Sequence, residues 1–191
     1  VFPHLYNSSP MSEDQVYDGL AFIGESYKKY IELFNHCYEQ HYPRDFSHVF
    51  FDCTNYYFEI DLPWEDKQKG PSKENRHAPI IGQALLLDAD LVPVSMQMYP
   101  GNESEKPYIR KTIEEMKNRH KISGKTVQVA DKGLNCARNI YAAVKEASDG
   151  YIFSKSIHGR NLSEKEKKWV VLENDQNVWV NHTDKNGKLL Y

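Results

Sequence analysis

The stretch HVFFDCTNYYFEI (residues 48–60) decides the fold, because its aromatic and β-branched residues predict a strand with two apolar faces. Such a strand is expected at the centre of a sheet. The exception is Asp52, whose ionised carboxylate is costly to desolvate unless a cation or several hydrogen bonds meet it. Asp52 is therefore either a satisfied structural residue, hydrogen-bonded to Thr54 or a backbone amide, or part of a functional site.

The segments that follow predict further strands alternating with helices. Two apolar runs, IIGQALLL (80–87) and LVPVSMQMY (91–99), flank a turn and form a hairpin beside the first strand. The stretch GNESEKP (101–107) supplies cap residues and a proline for a helix over residues 108–120. A short strand TVQVA (126–130), a helix from about 136 to 147 capped by Asn135, and a last strand GYIFSKSI (150–157) complete the order β-β-β-α-β-α-β. This order predicts an α/β fold with a mixed sheet.

Segments of different character lie on both sides of this core. Ser12 to Gln15 fits a capping box, and apolar residues at three- and four-residue steps predict one long amphipathic helix that ends near Pro43. After residue 157 a charged segment and short strand-like runs predict a trailing β-rich insertion. We expect residues 1–47 to be an N-terminal helical segment, 48–157 the α/β core domain and 158–191 a truncated insertion. The chain is expected to be a fragment of a longer protein.

Composition limits the classes of function. A length of 191 residues with 40% apolar content suffices for one domain with a sizeable core. A net charge of −3 argues against a uniformly basic nucleic-acid clamp, so a DNA surface would have to be local. Three cysteines without a CxxC pair favour a reducing compartment, and we expect a cytoplasmic protein. No apolar run reaches the roughly 20 residues of a membrane span, so no membrane partner is expected.

A second acidic residue, Asp131, ends the fourth predicted strand. The carboxyl ends of parallel strands are where α/β sheets bind ligands, and the two aspartates converge if the first and fourth strands are neighbours. Two carboxylates about 4 Å apart repel by about 4 kcal/mol at an effective dielectric of 20, so the pair needs a cation. Oxygen ligands at a half-open site suit Mg²⁺ or Mn²⁺ rather than zinc. The plainer alternative makes Asp131 an ordinary turn residue before Lys132 and Gly133.

Several motifs together resemble the catalytic domain of DDE transposases from bacterial insertion sequences, in the group related to insertion-sequence family four. They are FFDCTNYYFE, GPSKENRHAPIIGQALLLDADLVPVSMQMYPGNESE, VQVADKGLNCARNI and GYIFS, within residues 49–153. The middle block is the most specific of the four. The resemblance implies an RNase H-like fold, a mixed five-stranded sheet flanked by helices.

The resemblance also implies a site and a chemistry. Asp52 matches the first and Asp131 the second of three acidic residues that hold two divalent ions, Mg²⁺ or Mn²⁺. The implied reaction is phosphodiester hydrolysis at a transposon end, followed by attack of the freed 3′-hydroxyl on target DNA. The implied partners are transposon-end and target DNA, and a homo-oligomer is left open. The protein would act at the bacterial nucleoid.

The third carboxylate of the family pattern is a glutamate on a later helix, in a tyrosine-arginine-glutamate context. Here Glu164 follows Arg160 by four positions, but Ile157 stands where the tyrosine would be. Ser163 to Glu166 fits a capping box better, and in that reading the glutamate serves a helix end. We therefore expect the catalytic glutamate beyond Tyr191, with Glu164 as the alternative within the chain.

Basic residues near the aspartates are candidates for DNA contact. Lys73 and Arg76 lie in a charged loop after the first strand, Lys132 adjoins Asp131, and Arg160 lies in a second basic segment. Each could contact a phosphate and make binding salt-dependent, whereas the plainer alternative is a solvated charged surface.

Two other functions remain open at this stage. A metal-dependent RNase H-like nuclease or resolvase would use the same aspartates without strand transfer. A catalytically inactive, transposase-derived module would bind DNA regardless of metal.

Overall fold

The computed structural model describes residues 11–71 and 77–155, and the residues up to Phe153 belong to one compact unit. In chain order the elements are α1 (Glu13–Glu25), α2 (Tyr27–Glu39), β1 (His48–Tyr57), β2 (Ile80–Leu87), β3 (Pro93–Pro100), α3 (Lys106–Arg119), β4 (Val127–Ala130), α4 (Ala137–Tyr141) and β5 (Gly150–Phe153). A 3₁₀ turn at Lys132–Leu134 separates β4 from α4, and a π-helical turn at Ala142–Glu146 follows α4.

The five strands form one mixed sheet in the order β3-β2-β1-β4-β5. The pairs β1–β2 and β2–β3 are antiparallel, whereas β1–β4 and β4–β5 are parallel. The predicted α/β fold with a five-stranded mixed sheet is therefore confirmed, with β1 at its centre. The predicted β-rich insertion lies outside the described residues.

One face of the sheet carries the core. Val49, Phe51 and Cys53 of β1 point to this face and are almost completely buried. Helix α3 covers them because its apolar residues recur at helical spacing and pack on the sheet as one stripe: Ile109, Ile113 and Met116. On the other face of β1, Asp52, Thr54 and Tyr56 are exposed.

The N-terminal segment departs from the prediction of one long helix. The capping box forms as expected, with Ser12 and Gln15 exchanging hydrogen bonds. The helix is interrupted at Ser26, whose backbone (φ −106°, ψ 10°) leaves the helical range. Gly24 and Ser26 both have low helix propensity, and Gly/Ser pairs are common sites of kinks. The chain therefore continues as the separate helix α2.

Helix α2 covers the edge strand β3. The Asn35 amide donates to the Val94 carbonyl at 3.0 Å, and the Met98 backbone N–H donates to the Tyr27 hydroxyl at 3.2 Å. These contacts satisfy backbone groups that an edge strand leaves without a partner strand.

The helix predicted after Asn135 is also different in detail. Cys136 is its N-cap residue, and Asn135 instead ends the preceding 3₁₀ turn. The helix changes to π geometry after Tyr141. Within the described residues, no helix is both long and apolar enough to cross a membrane.

Candidate metal centre

The two candidate carboxylates occupy matching positions on neighbouring strands. Phe51 of β1 and Ala130 of β4 are register partners in the parallel pair. Asp52 follows the first and Asp131 follows the second, so each lies one residue beyond the last paired position. Neighbouring strands are about 4.8 Å apart, which brings the two side chains to the same end of the sheet.

Both aspartates are on the solvent side of these strands. Phe51 and Ala130 are buried in the core, and because side chains alternate, the next residue on each strand points away from it. Asp52 and Asp131 are accordingly exposed. The expectation that Asp52 sits in a strand buried on both faces is therefore wrong for the described residues. Its carboxylate remains accessible to a cation and to a substrate.

The sheet has a step at this position. Strand β4 ends at Ala130, whereas β1 continues to Tyr57 and remains paired with β2 as far as Ile80. Six further residues of β1, at about 3.3 Å each, carry this two-stranded ribbon roughly 20 Å beyond the end of β4. Asp52 lies at the inner corner of the step, and Asp131 begins the turn that leaves it.

The donor set fits a hard divalent cation. Mg²⁺ is commonly bound by one or two carboxylates together with water and substrate phosphates, so two aspartates provide a sufficient protein platform. Across residues 11–71 and 77–155, no group of three or more His, Cys, Asp or Glu side chains converges as a closed metal cage.

Of the predicted basic residues, Lys132 is the one that the structure describes. It is exposed and begins the turn directly after Asp131. Lys73, Arg76, Arg160 and Glu164 lie outside the described residues, so their predicted roles remain predictions.

The described part of the loop after β1 is more acidic than basic. Lys67 and Lys69 are outnumbered there by four carboxylates: Glu59, Asp61, Glu65 and Asp66. The Lys67 ammonium lies 4.2 Å from the centre of the exposed Trp64 ring and 5.3 Å from that of Phe58. Its charge therefore makes cation–π contacts with both rings.

Glu105 is a carboxylate beside the turn that follows Asp131, and sequence reasoning missed it. A Cβ atom placed on Gly133 would lie 2.4 Å from Glu105 Oε1, so this oxygen faces the turn that follows Asp131. The stretch GNESE suggested only helix-capping residues. Glu105 does occupy the N-cap position of α3, but its side chain makes no capping hydrogen bond. The only sequence signal was a glycine two residues after Asp131, which indicates close approach by another group.

Two stacked tyrosines lie close to Glu103 and Glu105. Tyr99 stacks on Tyr108 with ring centres 4.3 Å apart, and the Tyr108 hydroxyl donates to Glu103 at 2.6 Å. Burial, reinforced by Cys53 and Glu105, raises the pKa of Tyr99 well above its usual value. Burial and the hydrogen bond to Glu103 likewise raise the pKa of Tyr108. Both rings therefore remain neutral at physiological pH.

No protein-family model matches the sequence, and no curated protein matches it either. The solved structures similar to this chain include three transposase complexes. The piggyBac transposase synaptic complex with hairpin DNA is 12% identical, with a TM-score of 0.40, over 69% of this chain and 26% of that chain. The Mos1 mariner paired end complex with Mn is 11% identical, with a TM-score of 0.40, over 87% of this chain and 56% of that chain. The Mos1 strand transfer complex is 12% identical, with a TM-score of 0.39, over 81% of this chain and 47% of that chain. This chain thus spans between about a quarter and just over half of those proteins.

Proposed function

We propose that this chain is a transposase catalytic domain, in which Asp52 and Asp131 hold Mg²⁺ or Mn²⁺ for phosphodiester hydrolysis and strand transfer at transposon ends. The observation that supports it best is the register match of the two aspartates, each of which lies one residue beyond the last paired position of the parallel strands β1 and β4. The resemblance of the surrounding motifs to DDE transposases names DNA as the substrate and suggests a bacterial insertion sequence as the source.

The residues of the step have distinct roles in this proposal. Two bound divalent ions would supply activation of the attacking oxygen and stabilisation of the leaving oxygen. Asp52, within β1, and Asp131, directly after β4, would hold the ions. Lys132 contacts a phosphate beside the scissile bond, where its charge positions the DNA.

The metal site can be tested by titrating Mn²⁺ into the full chain and measuring the heat of binding. We expect Asp52→Asn and Asp131→Asn each to weaken Mn²⁺ binding at least tenfold, because each removes one of two charged ligands. Asp90→Asn is the matched control, since Asp90 is an exposed aspartate in the β2–β3 turn at the opposite edge of the sheet. Unchanged Mn²⁺ binding in both site variants would show that the aspartates do not hold metal.

The reaction can be tested with a DNA duplex that already carries a free 3′-hydroxyl at a nick. A transposase joins this end to a second duplex, and joining requires Mg²⁺ or Mn²⁺ and an intact Asp52. Metal-dependent cutting without joining would instead favour a nuclease or resolvase. DNA binding that is indifferent to both metal and Asp52→Asn would favour an inactive DNA-binding module.

A further inference from the structure

The 3₁₀ turn that follows Asp131 has a fixed backbone and lies beside the start of α3. It is closed by hydrogen bonds from Leu134 N to the Asp131 carbonyl, at 3.0 Å, and from Asn135 N to the Lys132 carbonyl, at 3.2 Å. Gly133 lies at its centre, with Glu105 Oε1 next to its Cα. A movement of this turn towards α3 would therefore bring the Gly133 backbone against the Glu105 carboxylate.

The backbone of Glu105 is held in place by the packing of α3 on the core. It directly precedes α3, whose first turns are anchored by Ile109 and Ile113, both almost fully buried. Glu105 is half-buried and lines a pocket of about 250 Å³ with Tyr99 and Glu103. Its side chain does not cap the helix, so helix capping does not explain its position.

We propose that Glu105 is a positioning residue for the metal site: its side chain acts as a stop that fixes the turn of Lys132–Leu134, and with it the distance of Asp131 from Asp52. This inference rests on the proposed metal-binding role of the two aspartates. Glu105 acts through the shape of its side chain on Gly133, and the cation is held by the aspartates. Residues that orient metal ligands in this way typically change metal affinity 10- to 100-fold when they are removed.

Three substitutions test this role, and two more are controls. Glu105→Ala removes the stop, whereas Glu105→Gln keeps its shape and removes its charge. Gly133→Ala adds a methyl group that displaces the Glu105 carboxylate, which is the end of a flexible side chain and can move without disrupting the core. Gly124→Ala is the matched glycine control, because a Cβ there has no atom within 4 Å. Glu103→Gln is the matched carboxylate control, because Glu103 bonds the Tyr108 hydroxyl instead.

The experiment records amide resonances of the ¹⁵N-labelled full chain, first without metal and then during titration with MnCl₂. Without metal, we expect Glu105→Ala and Gly133→Ala to shift the amide signals of Lys132–Leu134, and both controls to leave them in place. With Mn²⁺, wild-type protein should show broadening next to both Asp52 and Asp131. Mn²⁺ affinity should fall at least tenfold in Glu105→Ala and Gly133→Ala, and stay within about twofold of wild type in Glu105→Gln.

Two outcomes would overturn the inference while leaving the proposed function intact. Equal Mn²⁺ affinity in wild type and Glu105→Ala would show that Asp131 needs no stop. Equal loss in Glu105→Gln and Glu105→Ala would show that the charge of Glu105, rather than its shape, matters. If wild-type protein shows no broadening by Mn²⁺, the metal site itself is wrong and both proposals fail.

Discussion

Gly82 lies in the middle of β2 with the ring of Tyr99 in the space that a side chain would occupy. A Cβ atom at this position would lie 2.1 Å from Tyr99 Cε2. The ring has little room to withdraw, because it is 6% exposed and stacks on Tyr108. We therefore expect Gly82→Ala to lower the free energy of unfolding by about 1–3 kcal/mol, as overpacking of a core does. Urea denaturation of the purified chain measures this change.

Gly19 is the matched control, because it lies within α1 and a Cβ there would meet nothing within 4 Å. Gly19→Ala should stabilise the helix by up to about 1 kcal/mol, since glycine is a poor helix residue. Equal effects of the two substitutions would show that Tyr99 does not restrict Gly82.

Sequence patterns pointed to two of the candidate site residues and missed a third. Asp52 and Asp131 could be found because each interrupts or ends an apolar strand, and strand order limits which strands can be neighbours. Glu105 could not be found in this way. Its approach to Gly133 depends on how the start of α3 packs beside the turn after β4, and this is a tertiary contact between residues 28 positions apart. Local patterns carry no record of such contacts.

At the scale of elements, the strands were predictable and the helix ends were less so. Strands β2 and β3 match the two predicted runs, because buried and half-buried side chains mostly alternate along them and no residue of either strand is fully exposed. The interruption at Ser26 was hidden because the apolar spacing continues across it. Similarly, the π-helical turn after α4 inserts one extra residue per turn, which sequence periodicity does not resolve.

Helices α2 and α3 meet at a histidine that should make stability depend on pH. His120 Nδ1 lies 2.9 Å from Glu39 Oε1. Burial lowers the pKa of His120 below its usual 6.5, and it outweighs the Glu39 carboxylate, which raises this pKa. The positive charges of Arg119 and Arg44 lower the pKa further. The unfolded chain therefore binds this proton more readily than the folded protein does. The contribution of neutral His120 to the free energy of unfolding is fully present above pH 6.5. It is lost as the pH falls from 6.5 through the lower pKa of the folded protein.

We expect the thermal midpoint of the wild-type protein to fall more between pH 7.5 and pH 5.5 than that of His120→Gln. The difference between the two proteins isolates His120 from the other groups that titrate in this range. His41→Gln is the control, because His41 is exposed near the end of α2. The interpretation is wrong if His120→Gln loses as much stability on acidification as the wild type.

At the scale of the whole molecule, the proposed DNA binding has to overcome an unfavourable charge balance. The chain carries a net charge of −3, and the described loop after β1 adds more acidic than basic groups near the step. A polyanion is therefore expected to bind through a few local cations and the bound metal, with few phosphate contacts in total. Each phosphate contact contributes about one unit to the slope of log K against log salt.

Lys132 and Lys125 provide a direct comparison, because they lie at opposite ends of β4. Lys132 follows the carboxyl end beside Asp131, whereas Lys125 precedes the amino end of the strand. We expect Lys132→Gln to weaken binding of a DNA duplex and to reduce the salt slope by about one unit. Lys125→Gln should leave the affinity and the salt slope unchanged, although it removes the same charge beside the other end of β4. Fluorescence anisotropy with a labelled duplex, at several KCl concentrations and constant Mg²⁺, measures both quantities. If the two variants change the slope equally, DNA responds to net charge and does not bind at the step formed by β1 and β4.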